Sequence, residues 1–394
     1  MSPTSLTPCS ACGAEAPRIF FEVQDVPALV CVLYPDVASA KACPKGDIVL
    51  RFCAKCGLIE NPGFDEKQVE YTEGYENALH FSGLFQGYIQ SFSQELADKH
   101  GLTGKRVIEV GSGDGTFLEQ LVEHGAAEGV GFDPSYPTTK PDVLSGGKVR
   151  IVREMFTPDH PEARADLIVS RQVLEHVPQP RKMLEAVRGA LPAGSGSVAV
   201  FEVPNSLRML KEDAVWEPIY EHCLYFSAGS LARLFASCGF DVHSSVETYL
   251  GQFVAVDATT SAGAGSIPPE LDDLVELTAE VDRFEHAWRT KVEGWQSRLA
   301  GWKSQDKKVA IWGTGARGVA FLNLADPTRV VERAIDINPR KHGLFSAGTG
   351  QRIDPPEALV EWQPDVVIVM NPIYTDEIRA SLLELGLTPE IISA

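Results

Sequence analysis

From Lys105 onward the chain alternates between short apolar runs and stretches with helical spacing. The runs Arg106–Val110, Gly129–Phe132, Arg150–Glu154, Asp166–Ser170 and Ser197–Val203 each have the length of a buried strand. With helical segments between them, they predict a parallel sheet covered on both faces. Two further runs, Phe240–Tyr249 and Phe253–Thr259, are separated only by Leu250, Gly251 and Gln252 and predict an antiparallel pair. Upstream, the pattern predicts a helix over Leu84–His100 and a short strand at Ile48–Phe52. Downstream, the small residues of 260–268 read as a linker. Leu274, Leu277, Val281, Phe284, Trp288, Val292, Trp295 and Leu299 then recur at helical spacing, predicting one long amphipathic helix over Leu271–Trp302. A second strand-turn-helix unit opens at Lys308, with strands predicted at Val331–Asp336 and Asp365–Met370.

A chain of 394 residues is too long for a single growing core, so two or three domains are expected. The boundaries fall at 1–66, a cysteine-bearing module; 67–260, the main α/β unit; and 261–394, the long helix and a smaller α/β domain. With 54 Asp and Glu against 35 Lys and Arg, the formal charge is -19. That excludes a general nucleic-acid or anionic-membrane binder, which needs a basic face. The N-terminal residues show no basic stretch leading into an apolar run, and no run approaches the ~18 residues of a membrane span. A cytoplasmic protein is expected.

Four of the eight cysteines form two close pairs, Cys9-Ser-Ala-Cys12 and Cys53-Ala-Lys-Cys56, each followed by a glycine. A two-residue gap lets both thiolates of a knuckle face one ion, and two knuckles complete a tetrahedral zinc site. Four protein ligands leave no open position, so the expected Zn2+ is structural. Cys31, Cys43, Cys223 and Cys238 are expected to be small buried hydrophobes.

The segment Val107-Ile-Glu-Val-Gly111-Ser-Gly113-Asp-Gly115 is a strand running into a glycine-rich turn that opens a helix. Such a turn lets the backbone approach a ligand, but nicotinamide and flavin sites use similar ones. Three features resemble the class I S-adenosylmethionine-dependent methyltransferases instead. Glu109 precedes the turn; Asp133 ends the next strand, where a carboxylate can accept from both ribose hydroxyls; and Ser170-Arg171-Gln172-Val-Leu-Glu-His176 follows the fourth strand, where these enzymes line the methionine end of the cofactor. Met155 and Phe156, after the third strand, are positioned to contact adenine. The hairpin after the fifth strand also fits this class and not a plain dinucleotide fold. The expected fold is therefore α/β: a class I methyltransferase Rossmann-like core ending in an antiparallel hairpin, with an N-terminal zinc module and a C-terminal Rossmann-like domain. The expected cofactor-binding residues are Glu109, Gly111, Gly113, Gly115, Asp133, Met155, Phe156, Arg171 and Gln172.

In this order the parts resemble the three-domain sugar C-methyltransferases of deoxysugar biosynthesis, which include enzymes that methylate C3 of nucleotide-linked 4-keto sugars. The C-terminal run Val309-Ala-Ile-Trp-Gly313-Thr-Gly315-Ala-Arg317-Gly318, with Asp336 and Lys341-His-Gly343, is similar to that family's C-terminal signature. The resemblance implies catalysis in Ile219-Tyr220-Glu221-His222. A carbon beside a carbonyl becomes nucleophilic when a base removes its proton, and His222 is the candidate base. Glu221 would orient it or hold a substrate hydroxyl, and Tyr220 would donate to the enolate oxygen. The family places its tyrosine two residues before the Glu, where this chain has Ile219. The resemblance also implies His176 near the sulfonium end and an active-site tyrosine at Tyr71 or Tyr75, with Tyr75 favoured. In the family the C-terminal domain covers the active site; a second bound nucleotide at Gly313–Gly318, with Asp336 on its ribose and Arg317 and Arg340 on a diphosphate, is the other reading of that turn. The implied substrate is a nucleotide sugar. The alternatives are an O- or N-methyltransferase of a secondary metabolite on this scaffold, or a non-catalytic zinc-stabilised scaffold protein.

Overall fold

The computed structural model describes residues 7–15, 17–69, 75–76, 79–191, 194, 196–326 and 328–394. Among these, the strands form three sheets. The largest runs in the order Phe240–Thr248, Phe253–Thr260, Val198–Pro204, Leu167–Arg171, Arg106–Val110, Glu128–Phe132, Val149–Val152 and Val143–Leu144. Val198–Pro204 through Val149–Val152 are mutually parallel, and the hairpin adds to Val198–Pro204 antiparallel. The five predicted parallel strands and the terminal hairpin are present, each end within two residues of expectation. Arg106–Val110 lies between the second and fourth strands of the series. The order reverses at its carboxyl end, which opens a crevice there.

A second sheet of four strands joins Arg18–Pro27, Lys45–Phe52 and Ile59–Glu60 to Leu224–Tyr225. The last comes from the loop after the fifth core strand and pairs antiparallel with Ile59–Glu60. Asn61 N–H also donates to the Cys223 carbonyl at 2.8 Å. The loop carrying Glu221 and His222 is thus stitched to the cysteine module. The third sheet is parallel throughout, in the order Ile353–Asp354, Val331–Ile335, Val309–Trp312, Val366–Val369 and Glu390–Ser393.

The long helix spans Leu274–Ser304, 31 residues, or about 46 Å. Leu277, Val281, Phe284, Trp288, Trp295 and Leu299 are buried along one stripe. Its first half packs Phe284 and Trp288 on Phe20 and Phe21 of the cysteine module, and its second half packs Trp295 on Phe321 of the C-terminal domain. It braces two domains through aromatic contacts.

The expected linker at 260–268 is not a free segment. Val242 N–H donates to the Ser266 carbonyl at 2.9 Å, and Ser266 N–H to the Phe240 carbonyl at 3.2 Å. Gly265 sits so close that a Cβ there would lie 2.3 Å from the Phe240 carbonyl oxygen. Small residues are needed for close approach, not for flexibility. No helix among the described residues is long and apolar enough to cross a membrane.

Candidate active site

The four cysteines of the two pairs converge. Cys9 and Cys56 sulfurs lie 3.6 Å apart, as do those of Cys12 and Cys53, and all four fall within 4.8 Å of one another. Tetrahedral zinc with Zn–S bonds of about 2.3 Å would separate its sulfurs by about 3.8 Å, whereas a disulfide needs about 2.05 Å. The cage fits a structural zinc ion and not cross-links. Gly13 N–H donates to the Cys9 carbonyl and Gly57 N–H to the Cys53 carbonyl, closing the two knuckles. Arg181 donates to the Ala11 carbonyl and Arg233 to the Cys56 carbonyl, so the knuckles are also fastened to the methyltransferase core. Cys31, Cys43, Cys223 and Cys238 are buried thiols.

At the crevice, Gly111 (φ 75°) donates its N–H to the Phe132 carbonyl, and Gly113 (φ 55°) donates to Asp133 Oδ2 at 2.8 Å. A Cβ on Gly111 would strike Val173 at 2.3 Å, while one on Gly113 would enter space with no protein atom within 4 Å. That space, beside the buried Asp133, is a cradle that a side chain would fill. Gly115 follows at φ 83° as the cap of helix Thr116–Glu123. Beneath the turn, the buried Glu109 has an Oε2 without a hydrogen-bond partner among the described residues. Burial pushes its pKa up to about 8, against the pull of Arg171. Orphaned polar atoms, an open cradle and a strand-end carboxylate fit a nucleoside cofactor.

Other expected cofactor contacts are placed differently. The third strand ends at Val152, before the expected Glu154, and Met155 is 70% exposed on the following turn. Phe156 is half-buried, edge-on to Phe132. The Arg171 guanidinium turns inward, 3.1 Å from the fully buried Glu202 and over the ring of Phe117. Gln172 Nε2 also donates to Glu202, at 3.1 Å. Both side chains border the neighbouring cavity.

That cavity, about 520 Å³, lies between the carboxyl ends of the two parallel sheets. The methyltransferase core contributes Gln172, Glu175, His176 and Gln252, the loop contributes His222, the N-terminal side Tyr75, and the C-terminal domain the turn at Gly313–Gly318. Across the seam, Gln252 and Asn371 exchange side-chain hydrogen bonds at 2.8 and 3.0 Å, and the hydroxyls of Tyr249 and Tyr374 meet at 2.5 Å. These four seam residues, Glu175 and Glu202 escaped the motif reading. A glutamate inside the apolar run Val198–Pro204 was the one visible signal.

His176 and His222 meet edge to face with ring centroids 4.7 Å apart. Burial pushes the His176 pKa down to about 4, against the pull of the Glu221 carbonyl that its Nδ1 meets at 2.9 Å. Burial, reinforced by His176, holds His222 well below its ordinary value. Among the described residues the His222 ring has no hydrogen-bond partner. Burial keeps this imidazole in its neutral form, and it borders the cavity.

Glu221 does not bond to His222. Its carboxyl turns toward the cysteine module, accepting from Val30 N–H at 3.1 Å and from Tyr75 Oη at 2.5 Å. Burial raises its pKa to about 7, against both of those bonds. Tyr220 is likewise turned away. Its buried phenol accepts from Asp65 N–H at 2.9 Å and donates to the Gly63 carbonyl, with its ring against Gly46. It does not border the cavity, so the expected donation to an enolate is corrected. Tyr220 and Glu221 are the middle residues of a turn that His222 N–H closes on the Ile219 carbonyl at 3.2 Å, and pairing of the following strand with Ile59–Glu60 holds that turn against the cysteine module. Tyr71 lies outside the described residues.

Asp336 is engaged on both oxygens by its own domain, Oδ2 three times and Oδ1 once. Its carboxylate accepts from Thr314 N–H and Oγ1, Asn338 N–H and Lys341 Nζ, all within 3.0 Å. Arg317 pairs with Glu217 at 2.6 Å and Arg340 with Glu76 at 3.4 Å. The C-terminal glycine turn serves as a wall.

Residues 83–245 match the family described as a methyltransferase domain, and residues 269–386 that of a C-methyltransferase C-terminal domain. The chain is 28% identical to the C-methyltransferase NovU of Streptomyces niveus over 358 residues, covering 84% of this chain and 81% of that one. It is 32% identical to the ubiquinone biosynthesis O-methyltransferase of Salmonella arizonae over 121 residues, which is 29% of this chain and 47% of the relative. Among solved structures, the 1,6-didemethyltoxoflavin-N1-methyltransferase of Burkholderia thailandensis aligns with 45% of this chain and 81% of its own, at 16% identity and a TM-score of 0.36. The second relative shares only part of the core, whereas NovU runs alongside this chain through both matched domains. With the second matched domain closing the cavity that the first one opens, the chain is an S-adenosylmethionine-dependent methyltransferase that is similar to a C-methyltransferase over most of its length.

Proposed function

We propose that the enzyme methylates the carbon beside the ketone of a nucleotide-linked keto-deoxysugar, with His222 as the base that removes the carbon's proton. The observation that carries this is the unbonded, neutral His222 imidazole on a 520 Å³ cavity closed by the C-methyltransferase C-terminal domain. A cavity of that size suits a ligand as large as a nucleotide sugar. The relative NovU is itself a C-methyltransferase.

The Gly111–Gly115 turn, Asp133 and the orphaned Glu109 carboxyl would hold S-adenosylmethionine, which would supply the electrophilic methyl group. The chain's own residues prepare the acceptor. His222 is in its basic form at neutral pH because burial opposes protonation. The same burial makes a lone imidazolium costly, but the enolate is created beside it, so the two charges arise as a pair. His176, anchored to the Glu221 carbonyl, keeps the base's ring in place. Tyr75 and Glu221 brace the loop from the cysteine module. We divide the chain at 1–66, 67–260 and 261–394 and assign it to the cytoplasm, where zinc-binding thiols stay reduced.

The test is incubation with methyl-labelled S-adenosylmethionine and a thymidine-diphosphate 4-keto-6-deoxyhexose. Label is expected on carbon; label on oxygen or nitrogen overturns the reading. His222→Asn is expected to abolish turnover while calorimetry still detects cofactor binding. Wild-type rates in that variant would eliminate the base.

A further inference from the structure

We propose that Glu175 is a further catalytic residue, an un-ionised carboxyl that donates a hydrogen bond from Oε2 to the enolate oxygen while His222 holds the proton taken from the adjacent carbon. This rests on the enolate reading above. Removing the proton leaves the C–H electron pair spread onto the carbonyl oxygen. The proton stays on the His222 ring, and the pair returns to carbon as the new carbon–carbon bond forms, for which the donor's methyl–sulfur bond would break with its electron pair left on sulfur. The oxygen needs a donor during that interval, and one aimed at it in a dry site is worth far more than in water.

The tyrosine hydroxyls around the base are already committed. Tyr220 faces Gly63 and Asp65, Tyr75 donates to Glu221, and the Tyr225 hydroxyl donates to the Ile219 carbonyl while accepting its N–H. Glu175 sits in the single turn Leu174–His176, is 1% exposed and borders the cavity. Its carboxyl oxygen and nitrogens of His176 and His222 all lie within 4.8 Å of one another. An α-carbon and its carbonyl oxygen are only two bonds apart, so base and donor must stand near one another. Oε2 has no hydrogen-bond partner among the described residues, an expensive arrangement for a side chain that never meets a ligand.

The surroundings keep this carboxyl protonated. Facing it are the neutral imidazoles of His176 and His222, the Cys223 thiol that bonds to its carbonyl, and the carboxyls of Glu202 and Glu221. Burial first, and then those two carboxyls, push its pKa up to about 8, with its own backbone N–H pulling the other way. Among the described residues no cation contributes to favour the anion. A carboxylic acid held neutral at pH 7 is a strong donor to a developing oxyanion.

The experiment follows exchange of the α-hydrogen of thymidine-diphosphate 4-keto-6-deoxyglucose with deuterium oxide, with S-adenosylhomocysteine present, in the full-length zinc enzyme. Glu175→Leu is expected to slow exchange by about 10²–10³-fold with cofactor binding retained. Glu175→Gln keeps an N–H donor and is expected to lose less than about tenfold. Wild-type exchange should fall above about pH 8 as the carboxyl ionises, and Glu175→Gln should lack that limb, a comparison that holds even if the leucine variant folds poorly. Rapid exchange in Glu175→Leu overturns the inference alone. So does a glutamine variant as slow as leucine, or one sharing the wild-type alkaline limb, since either makes the anion the active form. No exchange in the wild type brings down the enolate reading itself, and Glu175's role with it.

Discussion

Glu202 is the electrostatic keystone beneath the active site, and its replacement by leucine should be costly in a way a second mutation repairs. The side chain is fully buried and accepts from Arg171 at 3.1 Å, Gln172 at 3.1 Å, Thr248 at 3.3 Å and the Tyr88 hydroxyl. Arg171 is itself only 11% exposed, so Glu202→Leu strands a guanidinium in a dry site. Breaking a buried pair from one side costs about 3–5 kcal/mol. Glu109, the other carboxyl facing Arg171, is pushed up to about pKa 8 by burial and in smaller part by neighbouring carboxyls that include Glu202. Without Glu202 it can ionise and offset part of the loss, which places the expectation near ~3 kcal/mol. For a domain the size of the methyltransferase core, that is a fall of about 6–12 °C in Tm. Calorimetry on the single variant and on Glu202→Leu/Arg171→Met measures it. The double variant removes both charges, leaves apolar surface, and should recover most of the stability. A single variant within ~1 kcal/mol of wild type, or a double variant no better than the single, would refute the argument.

Gly113→Ala should weaken S-adenosylmethionine binding at least tenfold by calorimetry, since its Cβ enters the open cradle, while stability falls by only ~1 kcal/mol for the left-handed backbone. Stripping zinc with a chelator, or Cys53→Ser, should unfold the module around Arg18–Glu60 and lower kcat, followed by zinc content and circular dichroism. Tyr220→Phe should leave kcat within about twofold and cost ~1 kcal/mol for the bonds to Asp65 and Gly63. Acid should destabilise the fold through His176. The unfolded chain takes up that proton at about pH 6.5 and the folded chain only at about 4, so the contribution is whole above pH 6.5 and roughly 3 kcal/mol is lost as pH falls to 4. Urea midpoints across that range, compared with His176→Gln, report it.

The core strands were legible because each is a continuous apolar run, the pattern that a sheet covered on both faces imposes. The cysteine pairs and the Gly111–Asp133 corner were legible because their chemistry is local. Arg18–Pro27 was not, since register shifts between Ile19 and Phe21 and between Val23 and Val26 break its alternation. The end of the third strand was less legible: it stops at Val152, two residues short of the expected Glu154, and Met155 stands exposed beyond it.

Tyr220, Glu221 and His222 show why residue types alone do not specify a site. All three have the chemistry that enolate formation needs, yet only His222 borders the cavity. Their directions are set by Leu224–Tyr225, a two-residue strand too short to leave a pattern, and by its partner Ile59–Glu60, more than a hundred and sixty residues earlier. That partner begins three residues after Cys56, inside the segment the second knuckle anchors. Glu60 is further fixed by a buried pair with Arg51 at 3.1 Å. The metal module therefore reaches the loop of the base through that strand pair, the backbone bond from Asn61 to Cys223, and the bonds of Val30 to Glu221 and of Asp65 to Tyr220. A structural ion far from the chemistry in sequence is thus a determinant of where the imidazole stands.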